Sequence, residues 1–211
     1  MKAFIFDLDG VIVFTDKFHY QAWKKMADGM GIYFDETINN RLRGVSRAES
    51  LEIILEKYDG ILSNAEKAIL MEQKNQCYRE LLDTMTPADV TDTVKDSLKK
   101  LREAGYKLAI GSSSKNAKFI LERVGLTDAF DAISDGTNIT RSKPDPEVFV
   151  KAGEFLGVGA AECVVVEDAC AGIDAAKAAG MQAVGIGDAS GYDKADHKIR
   201  SFEELLEIAG I

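Results

Sequence analysis

A wholly apolar run of four residues, Ala3-Phe4-Ile5-Phe6, stops abruptly at Asp7. A strand with no polar alternation has neither face in water, which is the state of a strand inside a parallel sheet covered by helices on both sides. After Thr86-Pro87 the chain alternates such runs with helical stretches. The pattern predicts helix near Val94 to Ala104, strand Lys107 to Ile110, helix near Lys115 to Val124 and strand Phe130 to Ile133. It continues with helix Glu147 to Leu156, strand Cys163 to Val166, helix Ala171 to Ala179 and strand Ala183 to Ile186. Gly105, Gly125, Gly157 and Gly180 each follow one of these helices, where a left-handed residue closes the last turn. The alternation specifies an α/β fold with a Rossmann-like parallel sheet.

The first strand is separated from that unit by a different texture. From Lys17 to about Met85 the apolar spacing is helical, with Phe18, Ala22, Trp23, Met26 and Met30 on one stripe. Ser46 with Glu49, and Ser63 with Glu66, have the spacing in which two side chains satisfy the free amides of a helix's first turn reciprocally. The block is too long for a simple crossover. The expected division is therefore an α/β core, 1–14 and 87–211, with a helical cap, 15–86, inserted after the first strand.

Composition narrows the partners. The 211 residues carry 26 Lys+Arg against 35 Asp+Glu, a net charge of −9, which disfavours nucleic acid and anionic membrane. An anionic substrate must then find a local cationic pocket. No apolar run approaches the ~20 residues of a membrane span, and acid interrupts Met1 to Asp7 too early for a signal peptide. A cytoplasmic monomer acting on a small molecule is expected. Cys77, Cys163 and Cys170 are odd in number and lack a Cys-x-x-Cys pair, so they read as buried thiols rather than a disulfide framework or zinc site.

In open α/β sheets ligands sit outside the carboxyl ends of the strands. Four such ends carry polar residues: Asp7-Leu8-Asp9-Gly10, then Gly111-Ser112-Ser113-Ser114-Lys115-Asn116, then a loop reaching Ser142-Lys143-Pro144, then Glu167-Asp168. Each alone has an ordinary explanation, as a helix cap, a surface lysine or an acid at a helix start. Together, after four successive strands, they point to one site. Several carboxylates in one crevice repel one another unless a divalent cation intervenes, and an all-oxygen set suits Mg²⁺. Lys143 and the donors around Ser112 would hold a phosphate against it. This predicts phosphoryl transfer, with Asp7 as nucleophile and Asp9 as acid and base.

These motifs resemble those of the haloacid dehalogenase superfamily of phosphotransferases. Asp7-Leu8-Asp9-Gly10-Val11-Ile12 is similar to its first motif, Ser112 to its second, Lys143-Pro144-Asp145-Pro146 to its third and Val166-Glu167-Asp168 to its fourth. The resemblance implies that Mg²⁺ is held by Asp7, the backbone carbonyl of Asp9, and Asp168, with Glu167 assisting, and that the inserted block is the superfamily's helical cap. Three further segments resemble its sugar phosphomutases: Thr15, His19 and Trp23; the substrate loop Arg43-Gly44-Val45-Ser46-Arg47; and the phosphate loop Ser112-Ser113-Ser114-Lys115-Asn116.

That resemblance implies exchange of phosphate between β-D-glucose 1-phosphate and glucose 6-phosphate, with β-glucose 1,6-bisphosphate as activator and intermediate. It places Arg47, Ser114, Lys115 and Asn116 on the non-reacting phosphate and Ser50 near sugar hydroxyls. It also links His19, with Lys74, to proton donation by Asp9. A Mg²⁺-dependent sugar-phosphate phosphatase using the same Asp7 is the alternative. A signalling receiver would need neither the cap nor Asp9. One position departs from the family pattern, Phe14 standing where an Asp is common.

Overall fold

In the computed structural model, which describes residues 1–42 and 45–211, all four residues of β1 (Ala3–Phe6) are fully buried. Arg43 and Gly44, two of the expected substrate-loop residues, lie outside the described residues. The strand has two apolar faces because it has two apolar neighbours. Phe4 packs edge-on against Tyr106, and Phe6 packs against Phe130 and Phe202. On the opposite face Ala3 and Ile5 join Val148, Phe149, Ala152 and Ile173 in the main apolar cluster.

Five more strands complete the sheet among the described residues: β2 (Lys107–Gly111), β3 (Ala132–Ser134), β4 (Cys163–Glu167), β5 (Gln182–Gly185) and β6 (His197–Lys198). Their order is β3-β2-β1-β4-β5-β6, and every adjacent pair is parallel. β1 is therefore central, with Phe6 opposite Ile110 on one side and Val166 on the other. The four strands whose ends carry the polar motifs are contiguous. Their carboxyl ends open along one edge, which is what the chemistry requires.

The chain divides into two units, Met1–Phe14 with Thr86–Ile211, and Thr15–Met85. The second is helical: α1 (Asp16–Gly29), α2 (Glu36–Asn40), α3 (Arg47–Leu55) and α4 (Asn64–Leu82). Both predicted serine–glutamate boxes are formed at the starts of α3 and α4. Trp23, Met26, Ala27, Phe34, Leu51 and Ile54 build the core of this unit, while Met30 at the end of the predicted stripe is only partly buried.

The first unit adds α5 (Asp92–Glu103), α6 (Ala117–Arg123), α7 (Glu147–Leu156), α8 (Cys170–Ala178) and α9 (Leu205–Ala209). α7 ends on Gly157 at φ 64°, a conformation that a side chain would strain. No helix among the described residues is long and apolar enough to cross a membrane. The expectation of three buried thiols needs correction: Cys163 is buried in β4, Cys77 is half-buried and Cys170 is exposed. Cys170 opens α8 just beyond the end of β4, where the chain leaves the sheet for solvent.

Candidate active site

The strand-end residues of the first unit converge on a buried ammonium group. Lys143, 4% exposed, donates to Asp7 Oδ1 at 2.5 Å and to Glu167 Oε1 at 2.5 Å. Its Nζ also lies 4.7 Å from the centre of the Phe149 ring. Burial alone would pull the lysine pKa down, but Asp7 and Glu167 outweigh it and hold the group above its ordinary value. Lys143 is thus a fixed positive charge. It sits in the loop between β3 and α7, preceding a cis peptide to Pro144.

The acids exceed that one charge. Asp7, Glu167 and Asp168 can each turn an oxygen to within 4.8 Å of the others. Burial raises Glu167, opposed by Lys143 and reinforced by Asp7. Burial, then Asp7, Glu167 and Asp9, push Asp168 up to about 8. An acid held protonated near neutrality by burial and then by acidic neighbours is a site short of positive charge. Three convergent carboxylates with that deficit fit a hard divalent cation. Gly10 keeps the crevice open: its φ of 93° excludes most side chains, and a Cβ there would stand 2.1 Å from Asp168 Oδ2. Asp9 is half-buried beside the turn in which Gly10 N donates to Val13 O at 2.7 Å.

The loop after β2 is shaped by its own hydroxyls. Ser112 Oγ accepts from Ser114 N at 3.2 Å, and Ser114 Oγ accepts from Asn116 N at 3.1 Å. Ser112 and Asn116 are buried, Ser113 and Ser114 half-buried, and Lys115 exposed. The segment after β3 braces this loop, since Gly136 N donates to Ser114 O and a Cβ on Gly136 would stand 2.5 Å from Ser113 O. The helical part of the predicted stretch begins only at Ala117, because the serine turns hold residues 112–116 in a loop.

In the helical unit the remaining predicted residues form a second polar cluster. Lys74, 3% exposed, has its Nζ 2.9 Å from His19 Nδ1 and stands over the rings of Tyr78 and Trp23. Burial first, then Lys74 and Arg47, lower the His19 pKa well below its ordinary value, so the imidazole is neutral and Nδ1 accepts from the lysine. Thr15 and Tyr78 hydroxyls bond at 2.9 Å. Arg47, first residue of α3, donates to Asn75 Oδ1 at 2.8 Å. Trp23 and Ser50 are buried in this unit, and Val45 is half-buried.

The sequence reading missed three groups that shape these sites. Tyr78 closes the Thr15–His19–Lys74 cluster, and only the register of α4 reveals it. Gly136 braces the serine loop. Glu147, which opens α7, ties down the loop leading to Lys143: its Oε2 accepts from Thr140 N, Thr140 Oγ1 and Arg141 N, each at 2.9 Å. Its place directly after Pro146, at a helix start, was the available signal. The Thr140 and Arg141 amides lower its carboxyl to about 2 from an ordinary 4.5. A depressed acid adds stability that is complete above the unfolded value and is lost as pH falls through the folded one. The stability gap between the parent and Glu147→Gln is therefore expected to be widest near neutrality and to close between pH 4.5 and about 2. Urea unfolding across that range checks it, and a gap independent of pH would exclude the role.

The family model for haloacid dehalogenase-like hydrolases matches residues 1–180. A β-phosphoglucomutase of Bacillus subtilis is 44% identical, over 97% of this chain and 92% of that protein. A phosphorylated carbohydrates phosphatase of Thermotoga maritima is 31% identical, over 87% of this chain and 84% of its own. The crystal structure of a β-phosphoglucomutase from Clostridium difficile superposes with a TM-score of 0.92 at 39% identity, covering 100% of this chain and 96% of that one. With four contiguous strand ends supplying the acids, the lysine and the serine loop, and a helical unit inserted after the first, the chain belongs to the haloacid dehalogenase-like hydrolase family and stands among its β-phosphoglucomutase members.

Proposed function

We infer that this chain is a β-phosphoglucomutase, interconverting β-D-glucose 1-phosphate and glucose 6-phosphate through an aspartyl-phosphate on Asp7 and β-glucose 1,6-bisphosphate. The observation that carries the chemistry is the buried Lys143 ammonium shared between Asp7 and Glu167, with Asp168 beside them. The likeness to the Bacillus subtilis mutase supports that substrate over other phosphate esters.

Asp7, Asp168 and the Asp9 carbonyl, with Glu167 assisting, would hold Mg²⁺. When bound, the ion neutralises phosphoryl oxygens and lets an anionic nucleophile approach phosphorus. An Asp7 oxygen forms the new bond to phosphorus as the bond from phosphorus to the sugar oxygen breaks. Asp9 gives that oxygen its proton. In the second half Asp9 takes the proton from the free 6-hydroxyl of an incoming β-glucose 1-phosphate, whose oxygen attacks the aspartyl phosphorus as its bond to Asp7 breaks, giving the 1,6-bisphosphate. Turned end for end, the bisphosphate returns its other phosphate to Asp7 by the first step and leaves as glucose 6-phosphate. Lys143 stays protonated throughout and faces the charge that develops on the phosphoryl oxygens. Arg47, Ser114, Lys115 and Asn116 are assigned to the non-reacting phosphate, Arg47 by its planar two-pronged donor. His19, held neutral, and Lys74 are assigned to orienting the acid/base step, and Ser112 to the reacting phosphate.

The test is a coupled assay for glucose 6-phosphate from β-glucose 1-phosphate, with Mg²⁺ and trace β-glucose 1,6-bisphosphate, and free phosphate followed in parallel. Glucose 6-phosphate as the main product is expected. Free phosphate as the main product would leave Asp7 chemistry standing and make the protein a sugar-phosphate phosphatase, the activity named for the Thermotoga maritima relative. Arg47→Ala is expected to lower kcat/KM with the bisphosphate by about 10- to 100-fold, the worth of a charged hydrogen bond, while barely changing cleavage of p-nitrophenyl phosphate. Equal losses on both substrates would remove Arg47 from the non-reacting phosphate.

A further inference from the structure

Gly172 is the third residue of α8, and nothing in its backbone calls for glycine, since its φ is not in the positive region. Glycine inside a helix is unfavourable relative to alanine, so the reason for it lies in space. A Cβ built on Gly172 would stand 1.9 Å from Glu167 Oε1, 2.0 Å from its Cδ and 2.5 Å from its Cγ. The helical Gly153 is different: a Cβ there meets nothing closer than 3.3 Å. Glu167 fills the gap at 1% exposure, tied there by Lys143 Nζ and by Ala169 N at 2.9 Å.

We propose that Gly172 is a positioning residue for phosphoryl transfer, its missing Cβ being the space into which Glu167 folds to share Lys143 with Asp7. What a Cβ would strike is the far end of a flexible side chain rather than backbone. The helix therefore stays and the glutamate leaves. Lys143, stripped of Glu167, pairs with Asp7 alone, so the nucleophile is masked and the acid cluster around Asp168 loses one oxygen donor. The effect on rate rests on the reaction proposed above; the effect on the cluster does not.

The test is Gly172→Ala in the full chain, read three ways. The melting temperature is expected to fall by a few degrees, because Glu167 gives up its buried bonds to Lys143 Nζ and Ala169 N, while the far-UV circular dichroism stays that of the parent. Affinity for Mg²⁺ alone, measured by titration calorimetry, is expected to fall about 10- to 100-fold, as for other residues that orient metal ligands, and kcat to fall over the same range with KM little changed. In a Glu167→Ala background the same substitution is expected to cost nothing further in Mg²⁺ affinity, because the group it acts through is gone. Unchanged Mg²⁺ affinity or an equal loss in both backgrounds would each overturn the proposal. A parent protein that binds Mg²⁺ yet does not turn over β-glucose 1-phosphate would sink the reaction instead, leaving the Mg²⁺ cycle to decide Gly172.

Discussion

Asp7→Asn is expected to lower kcat by on the order of 10⁴-fold or more, the scale seen when a covalent nucleophile is removed, with the fold preserved. The side chain keeps its shape and can still accept from Lys143, but the amide is a poor nucleophile toward phosphorus. The loss should fall on kcat rather than KM, because the groups assigned to the sugar and its second phosphate are untouched. Removing one of three crowded carboxylates also relieves the repulsion that adds to burial in pushing Asp168 up to about 8, so thermal stability should not suffer. Stopped-flow turnover and a melting curve on the same preparation check both parts. Turnover within tenfold of the parent would eliminate Asp7 as the group that carries the phosphate.

Lys143→Met is expected to be the most destabilising single change at the site. The ammonium is buried between Asp7 and Glu167, and removing one partner of a buried ion pair leaves uncompensated charge, at a cost of about 3 to 5 kcal/mol. For a chain of this size that is a fall in melting temperature of roughly 10 °C. Mg²⁺ should restore part of it, since a divalent ion neutralises the same carboxylates. Turnover should be lost with or without the ion, because the methionine offers the phosphoryl oxygens nothing. A variant that melts with the parent in the absence of Mg²⁺ would show that Lys143 is not the charge that holds the cluster.

The parts of the molecule legible in the sequence are those where one physical demand dominates. β1 and β4 are buried on both faces, so their runs are apolar without interruption and their ends stand out against acid. α3 and α4 announce their starts through the serine–glutamate boxes. β6 was invisible because its two residues, His197 and Lys198, are exposed and polar, leaving no periodicity to read. The predicted strand from Phe130 gives way to β3 at Ala132, because Phe130 packs on Phe6 before the ladder begins.

The acids and Lys143 could be chosen because each follows a strand. Glu147, Gly136 and Gly172 could not, because they act on loop or side-chain shape that only the packed structure defines. Phe14, the departure from the family pattern, is 62% exposed at the last residue of the first segment.

The central place of β1 sets a timetable for the ribosome. Phe6 finds its neighbours at Ile110 and Val166, so the segment that presents Asp7 is made before either of them and docks late. At roughly 5 to 20 residues per second, the wait for β4 is about 8 to 30 s. Thr15–Met85, whose helices find their partners within their own stretch, can form meanwhile. The strand on which the chemistry depends thus spends longer as an unpaired apolar segment than any other in the sheet. A pause in synthesis before Lys107, where its earlier neighbour β2 begins, would prolong that exposure most.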